Sequence, residues 1–262
     1  MRERRDLQGM AKASLNTIVR HCDRMLRTSE IEDYKGAVNG LQVENDGGVT
    51  RIAAAVDASL ATIRMAVEAG ADLLVVHHGL FWGPSHPWTK NRYALLKELL
   101  DNNLAVYSSH LPLDAHPKLG NNAGLCRALG FSKLEPFFFD RGMHLGFQAD
   151  VGMTRVALAK KLAKILGAEP TLLPGGSKQC RRIGVVTGGA GSELLLAASE
   201  GVDTFITGEG PHHTFGMAED AGINVFYGGH YATETFGVKA LAAHLAKKYR
   251  LSWTFLDHPS GL

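Results

Sequence analysis

The stretch RIAAAVDASLATIRMAVEAGADLLVVHHG, residues 51–79, decides the fold, because it reads as strand, helix, strand and then comes back later in the chain. The second copy, RIGVVTGGAGSELLLAASEGVDTFITGEG at 182–210, aligns with it without a gap over 29 positions. Six of those positions are identical, pairing Arg51 with Arg182, Ile52 with Ile183, Ala66 with Ala197, Gly70 with Gly201, Asp72 with Asp203 and Gly79 with Gly210. In the first copy, apolar runs at 52–56 and 73–76 flank a helical stretch at 60–69. That order predicts a βαβ unit built on a buried parallel sheet. In the second, a strand at 183–186 passes through a glycine-rich turn into a helix at 193–199.

The correspondence continues past each copy. Tyr107-Ser-Ser-His110-x3-Asp114 in the first half matches Tyr227-Gly-Gly-His230-x3-Glu234 in the second. Apolar residues at Leu15, Ile18, Val19, Cys22, Met25 and Leu26 have helical spacing, so an amphipathic helix is expected over 15–26. Another at 92–101 precedes the apolar run 104–107. Self-similarity of this kind takes precedence over local propensity in choosing a fold. The expectation is an α/β protein of two similar α/β lobes related by a pseudo-twofold internal repeat, roughly 1–130 and 131–262. A Phe/Gly/Pro-rich crossing at 135–142 joins them, and no large domain is inserted. Their strand C-terminal ends would meet between the lobes, and in open α/β sheets that edge is where ligands bind.

Composition narrows the function classes. A chain of 262 residues with 45% hydrophobic and 21% charged residues is ordinary globular material, which excludes disorder, collagen-like and coiled-coil readings. Lys and Arg total 28 against 26 Asp and Glu, a net charge of +2. Such a balance leaves no strong electrostatic footprint for nucleic acid or anionic lipid. The longest apolar runs fall far short of the roughly 18 residues a membrane span needs, and Met1–Arg5 leads into no signal-type run. A cytoplasmic protein without a membrane partner is expected. Cys22, Cys126 and Cys180 form no CxxC pair and are expected to be buried thiols. The 30 glycines and 12 histidines, many of the latter beside Gly or Asp, point to loops and ligands.

The groups that fall at strand ends are His77, His78, His110 and Asp114 in the first half and Glu209, His230 and Glu234 in the second. A mixed imidazole and carboxylate set suits zinc, manganese, iron or nickel better than calcium or magnesium. Adjacent histidines on a strand project to opposite sides, so His77 and His78 would serve two ions. A carboxylate such as Asp114 or Glu234 would bridge them at ~3.5–4 Å, and water at the open positions would mark a catalytic site. Each piece alone has an ordinary reading. A strand-end histidine is usually a hydrogen-bonded turn residue, and His-x3-Glu is usually an i, i+4 surface pair. Recurrence at the same place in both halves favours the metal reading. The turn 187–192 is either a phosphate cradle or a tight strand-to-helix connection. His212-His213 read as site residues or, more simply, as a polar first turn of a helix, and the loop carrying His86 and Trp88 as a site cover whose aromatics stack on a base or, more simply, as a subunit contact.

The runs Asn39-Gly-Leu-Gln-Val43, Val76-His-His-Gly-Leu-Phe-Trp82, Ser109-His-Leu-Pro-Leu-Asp114-Ala-His116 with Gly120-Asn-Asn122, Thr207-Gly-Glu209 and Gly229-His230-Tyr-Ala-Thr-Glu234 are specific when taken together. The chain resembles the NIF-three-like dinuclear metal family, whose bacterial members carry the name GTP cyclohydrolase 1 type 2 homolog. The resemblance runs through Trp253-Thr-Phe-Leu-Asp257. It implies a toroidal homohexamer and two divalent ions per subunit on His77, His78, Asp114, His230 and Glu234, with His110 close by. Tyr231 and Thr235 stand where many members have His and Arg, a departure that spares the ligands but touches substrate phosphate contacts. The expected activity is metal-dependent hydrolysis of a small nucleotide-like substrate, with Glu209 or His110 moving protons. The rival expectation is a non-catalytic metal-handling protein, or a ring that binds nucleic acid; near-neutral charge speaks against the latter.

Overall fold

The computed structural model describes residues 11–83 and 86–262; Met1–Arg5, and Pro84 and Ser85 of the first half's extra loop, lie outside the described residues. In chain order the elements begin with β1 (Ala13–Ser14), α1 (Leu15–Leu26), β2 (Gly40–Val43), β3 (Gly48–Val49), β4 (Arg51–Asp57), α2 (Leu60–Glu68), β5 (Leu73–His78), α3 (Asn91–Asp101) and β6 (Ala105–Ser108). There follow α4 (Leu111–Asp114), α5 (Asn121–Ala128), β7 (Glu135–Asp140), β8 (Met143–Thr154), α6 (Arg155–Leu166), β9 (Thr171–Pro174) and β10 (Gln179–Val185). After a short 3₁₀ turn come α7 (Leu194–Ser199), β11 (Thr204–Thr207), α8 (Thr214–Ala221), β12 (Asn224–Tyr227), α9 (His230–Thr233), α10 (Thr235–Tyr249) and β13 (Ser252–Phe255).

Two compact units result, one of Met1–Pro112 with Val238–His258, the other of Leu113–Gly237 with Pro259–Leu262. These bounds differ from a division by chain order at 130, because β13 pairs in parallel with β4 and takes the C-terminal segment into the first sheet. That sheet runs β13-β4-β5-β6-β2, the first four strands parallel and β2 antiparallel at the edge. The middles of β4 and β5, residues 52–56 and 73–76, are continuous apolar runs because both faces there are covered, and Ile63, Ala66, Leu74, Val76, Leu99 and Val106 form one buried cluster. α2 starts where it does because Ser59 and Thr62 make a reciprocal capping box.

The sheet of the second unit runs β7-β8-β10-β11-β12-β9, with β10, β11 and β12 parallel and the outer strands antiparallel. Leu158 and Leu162 of α6 pack with Ile183, Val185, Ile206 and Phe226 in its core. The stretch 135–142 expected as a crossing is instead β7 and the tip of a hairpin. Asp140 pairs with Met143 across Arg141 and Gly142, whose φ of 49° and 78° are the two left-handed residues of a type I′ turn.

Matched residues of the two similar stretches do matched work, each in its own sheet. Asp72 accepts the backbone N–H groups of Thr50 and Arg51, and Asp203 those of Arg181 and Arg182. Each aspartate thereby pins the entry of the preceding strand. Gly70 and Gly201 both take left-handed φ, 69° and 85°, in the turn just ahead. All three cysteines are buried thiols, and burial pushes Cys22 and Cys126 up to about 12. Among the described residues no helix is long and apolar enough to cross a membrane.

Candidate metal centre

In the first unit β5 ends in His77 and His78, and His110 follows β6, its neighbour in the sheet. Strand alternation predicts that His77 and His78 diverge. They converge instead: their ring centroids are 4.8 Å apart, and His110 lies 4.9 Å from His77 and 5.7 Å from His78. One ring nitrogen of each comes within 4.8 Å of the others, close enough for one cation. The cause lies in what each ring is tied to. His77 Nδ1 bonds the Ser109 carbonyl at 2.9 Å, His78 Nδ1 bonds Asp57 at 2.8 Å, and His110 Nδ1 bonds Asp33 at 2.8 Å.

A carbonyl or a carboxylate can only accept, so each Nδ1 carries a hydrogen, which leaves Nε2 as the nitrogen each ring could offer to a cation. This is how metal-ligating histidines are oriented in general. Asp33 does more than hold one ring. Besides His110 it accepts from Asn39 Nδ2 at 2.7 Å, the Tyr34 N–H at 2.7 Å and the Leu111 N–H at 3.1 Å. Burial works to raise its pKa, but the bonds from His110, Asn39 and Tyr34 outweigh it and hold the carboxyl at about 2.

In the second unit His230 begins α9 and Glu234 follows it by one turn. His230 Nε2 lies 3.2 Å from Glu234 Oε2, and its Nδ1 lies 2.8 Å from Glu209 Oε1. The hydrogen bond to Glu234 is the main reason that the imidazole is raised to about 9, with Glu209 adding to it against the opposing effect of burial. Glu234 is 3% exposed, so a buried carboxylate and an imidazole share one position where a positive charge is held. Asp114 is buried as well and accepts from Asn121 Nδ2 at 2.8 Å. The donor types are those that suit borderline divalent ions: imidazoles of fixed tautomer in the first unit, and an imidazole beside the buried Glu234 carboxylate in the second.

The glycine-rich turn resolves toward connection rather than phosphate cradle. The Gly188 N–H donates to Thr233 Oγ1, that of Ala190 to Thr207 Oγ1 and that of Gly191 to the Glu209 carbonyl. Gly188 sits at φ 74°, and a Cβ there would collide with Glu234 Oε1. The turn is therefore the wall against which Glu234 rests. His212 and His213 are exposed ahead of α8 and belong to neither histidine group that could hold a metal among the described residues.

Sequence reasoning missed Asp33 and Asp57, and quoted Asn121 and Thr233 within specific runs without giving them a role. Asp33 lies 77 positions before His110, and no spacing rule links them. Asp57 ends β4 beside β5, a signal available only once the two strands are known to pair.

A profile of the family described as Duf34/NIF3 (NGG1p interacting factor 3) matches residues 13–260. Among curated relatives, the chain is 44% identical over 249 residues to a Halobacterium salinarum protein named GTP cyclohydrolase 1 type 2 homolog, covering 93% of this chain and 97% of that protein. It is 38% identical over 258 residues to a protein of the same name from Deinococcus radiodurans, with 97% of both chains covered. Among solved structures, TTHA1606 from Thermus thermophilus matches with a TM-score of 0.88 at 40% identity, covering 95% of this chain and 100% of that one. Sequence motifs, fold and relatives over nearly the full length agree, and the chain belongs to the DUF34/NIF3 family.

Proposed function

We propose that the protein is a metal-dependent hydrolase of a small nucleotide-like substrate, with two divalent ions held by His77, His78, Asp114, His230 and Glu234. One observation carries this reading: three histidines gathered at the ends of adjacent parallel strands, each with Nδ1 tied to an acceptor. A structural histidine needs one satisfied nitrogen, whereas three rings sharing one tautomer and one neighbourhood supply a ligand field. The name of the curated relatives, GTP cyclohydrolase 1 type 2 homolog, is consistent with a nucleotide substrate. Bound cations would supply Lewis acidity and lower the pKa of water.

The chain's own residues then have separable roles. Asp57, Asp33 and the Ser109 carbonyl orient the rings. Glu209, 49% exposed on its side chain and bonded to His230, would take a proton, and His110 would return one. In this reading the two units descend from one duplicated βαβ element, which the matched Asp72 and Asp203 support. We also propose the toroidal hexamer implied by family membership; sedimentation of a monomer at micromolar concentration would remove it. The main test pairs elemental analysis of protein purified without added metal with assay of GTP and other nucleotides. Glu234→Ala is expected to lose both bound metal and turnover. Absence of nucleotide turnover by fully loaded protein would refute the hydrolase reading.

A further inference from the structure

Beside the histidine cluster the first unit forms a half-open pocket of about 410 Å³. It lies past the carboxyl ends of β4 and β5, where α/β sheets bind ligands, and its volume falls within the roughly 300–1,000 Å³ usual for small-molecule sites. Three aromatic side chains, Phe81, Trp82 and Trp88, make up its walls, and its ionisable lining residues, His86 and Arg92, are both basic. The Arg92 guanidinium carbon lies over the Trp88 ring, 4.6 Å from its centre, a cation–π contact that fixes a positive charge at the pocket wall. Phe81 meets Trp88 edge-on at 6.3 Å.

Trp82 ties the pocket to the histidines, standing edge-on to His110 at 4.7 Å and to His78 at 5.8 Å. Part of the wall is backbone against backbone. Gly36, at φ 94°, lies so close to Gly83 that a Cβ would come within 2.9 Å of it. Phe81 is 36% and Trp82 47% exposed, so both rings offer free surface to this concave, basic-lined space.

We infer that this pocket seats a flat heteroaromatic ring carrying an anionic group, the ring stacked on Trp82 and Phe81 and the anion met by Arg92. Aromatic platforms with an adjacent arginine are how proteins hold bases whose backbone is charged. The inference deepens the proposed function, on which it rests for the claim that the seated molecule is what the metal centre acts on. It identifies what the substrate must contain.

The test uses full-length Trp253→Phe protein, in which Trp82 and Trp88 are the remaining tryptophans of the three in the chain. Indole fluorescence is titrated with GMP, with guanosine (ring without anion) and with ribose 5-phosphate (anion without ring), in zinc-loaded and in chelator-treated protein. GMP is expected to quench saturably in both forms, at least tenfold tighter than either fragment. Arg92→Ala should weaken GMP at least tenfold and leave guanosine unchanged, while Trp82→Ala weakens both. Arg92→Lys, which keeps the charge but not the planar fork, should fall between. GMP binding no tighter than ribose 5-phosphate, or unchanged in both Arg92 variants, would overturn the inference. Zinc content is measured on the same samples. Zinc uptake without quenching by GMP removes the pocket and spares the metal reading. Saturable GMP binding without zinc uptake supports the pocket and removes the metal reading.

Discussion

At the scale of single residues, the histidines matter less than what holds them. Asp57 fixes the tautomer of His78 and is itself 44% exposed, so its loss should cost little stability. Asp57→Ala is expected to weaken zinc binding by about 10–100-fold, the usual consequence of removing an orienting partner, with a melting temperature near that of the parent. Competition against a chromophoric chelator measures it, and unchanged affinity would show that Asp57 orients nothing of consequence. Gly188 is the opposite case, a backbone position required by a side chain far along the chain. Gly188→Ala must adopt φ 74° and push its Cβ toward Glu234. A loss on the order of 1–3 kcal/mol is expected in urea unfolding, together with reduced metal uptake. The histidines and carboxylates themselves were legible from their places at strand ends. Their partners were not, because hydrogen bonds such as His110 to Asp33 join segments that no local pattern relates.

At the scale of elements, apolar spacing locates α1 over Leu15–Leu26 and the strands and helices of the two similar stretches to within a few residues. It says nothing of how helices pair. His21 of α1 and His244 of α10 place their Nε2 atoms 2.9 Å apart, with rings stacked at 5.2 Å, and Tyr249 set edge-on against His21. Both imidazoles are lowered from 6.5, by burial first and then by the charge of Lys248; the mutual effect of His244 and the charge of Arg24 also act on His21. At these two sites the folded protein therefore binds fewer protons than the unfolded chain just below pH 6.5. It follows that the α1–α10 contact is at full strength above that pH and weakens as pH falls through it. His230, raised to about 9, works in the opposite sense mainly above pH 6.5, so the urea midpoint of His21→Gln should fall less than that of the parent between about pH 6.5 and 5.5. An unchanged slope in the variant would assign the pH dependence elsewhere. The hairpin at Arg141–Gly142 is a second element that spacing misread, since a turn of two left-handed residues usually announces itself with Asn-Gly or Asp-Gly.

At the scale of the molecule, the first unit is assembled from two distant parts of the chain. β13 covers one edge of the sheet by pairing with β4, the Leu256 N–H donates to the Ala54 carbonyl, and Lys239 lies 4.1 Å over the Phe255 ring. A fragment ending at residue 112 would expose β4 as a long apolar edge and lack the helix that brings His244 to His21. Such a fragment should not unfold cooperatively by circular dichroism, whereas one in which residues 238–258 are joined to it by a flexible linker should. Cooperative melting of the short fragment alone would contradict the role given to β13.

Sequence alone determined the α/β class, the two similar βαβ stretches and the chemical character of the strand-end groups, because periodicity and residue type are local properties. Tertiary structure decided which ring each carboxylate steers, that His77 and His78 converge, and that β13 closes the first sheet. These depend on contacts between residues tens to hundreds of positions apart, whose energies come from packing and hydrogen bonding in three dimensions and leave no period in the chain.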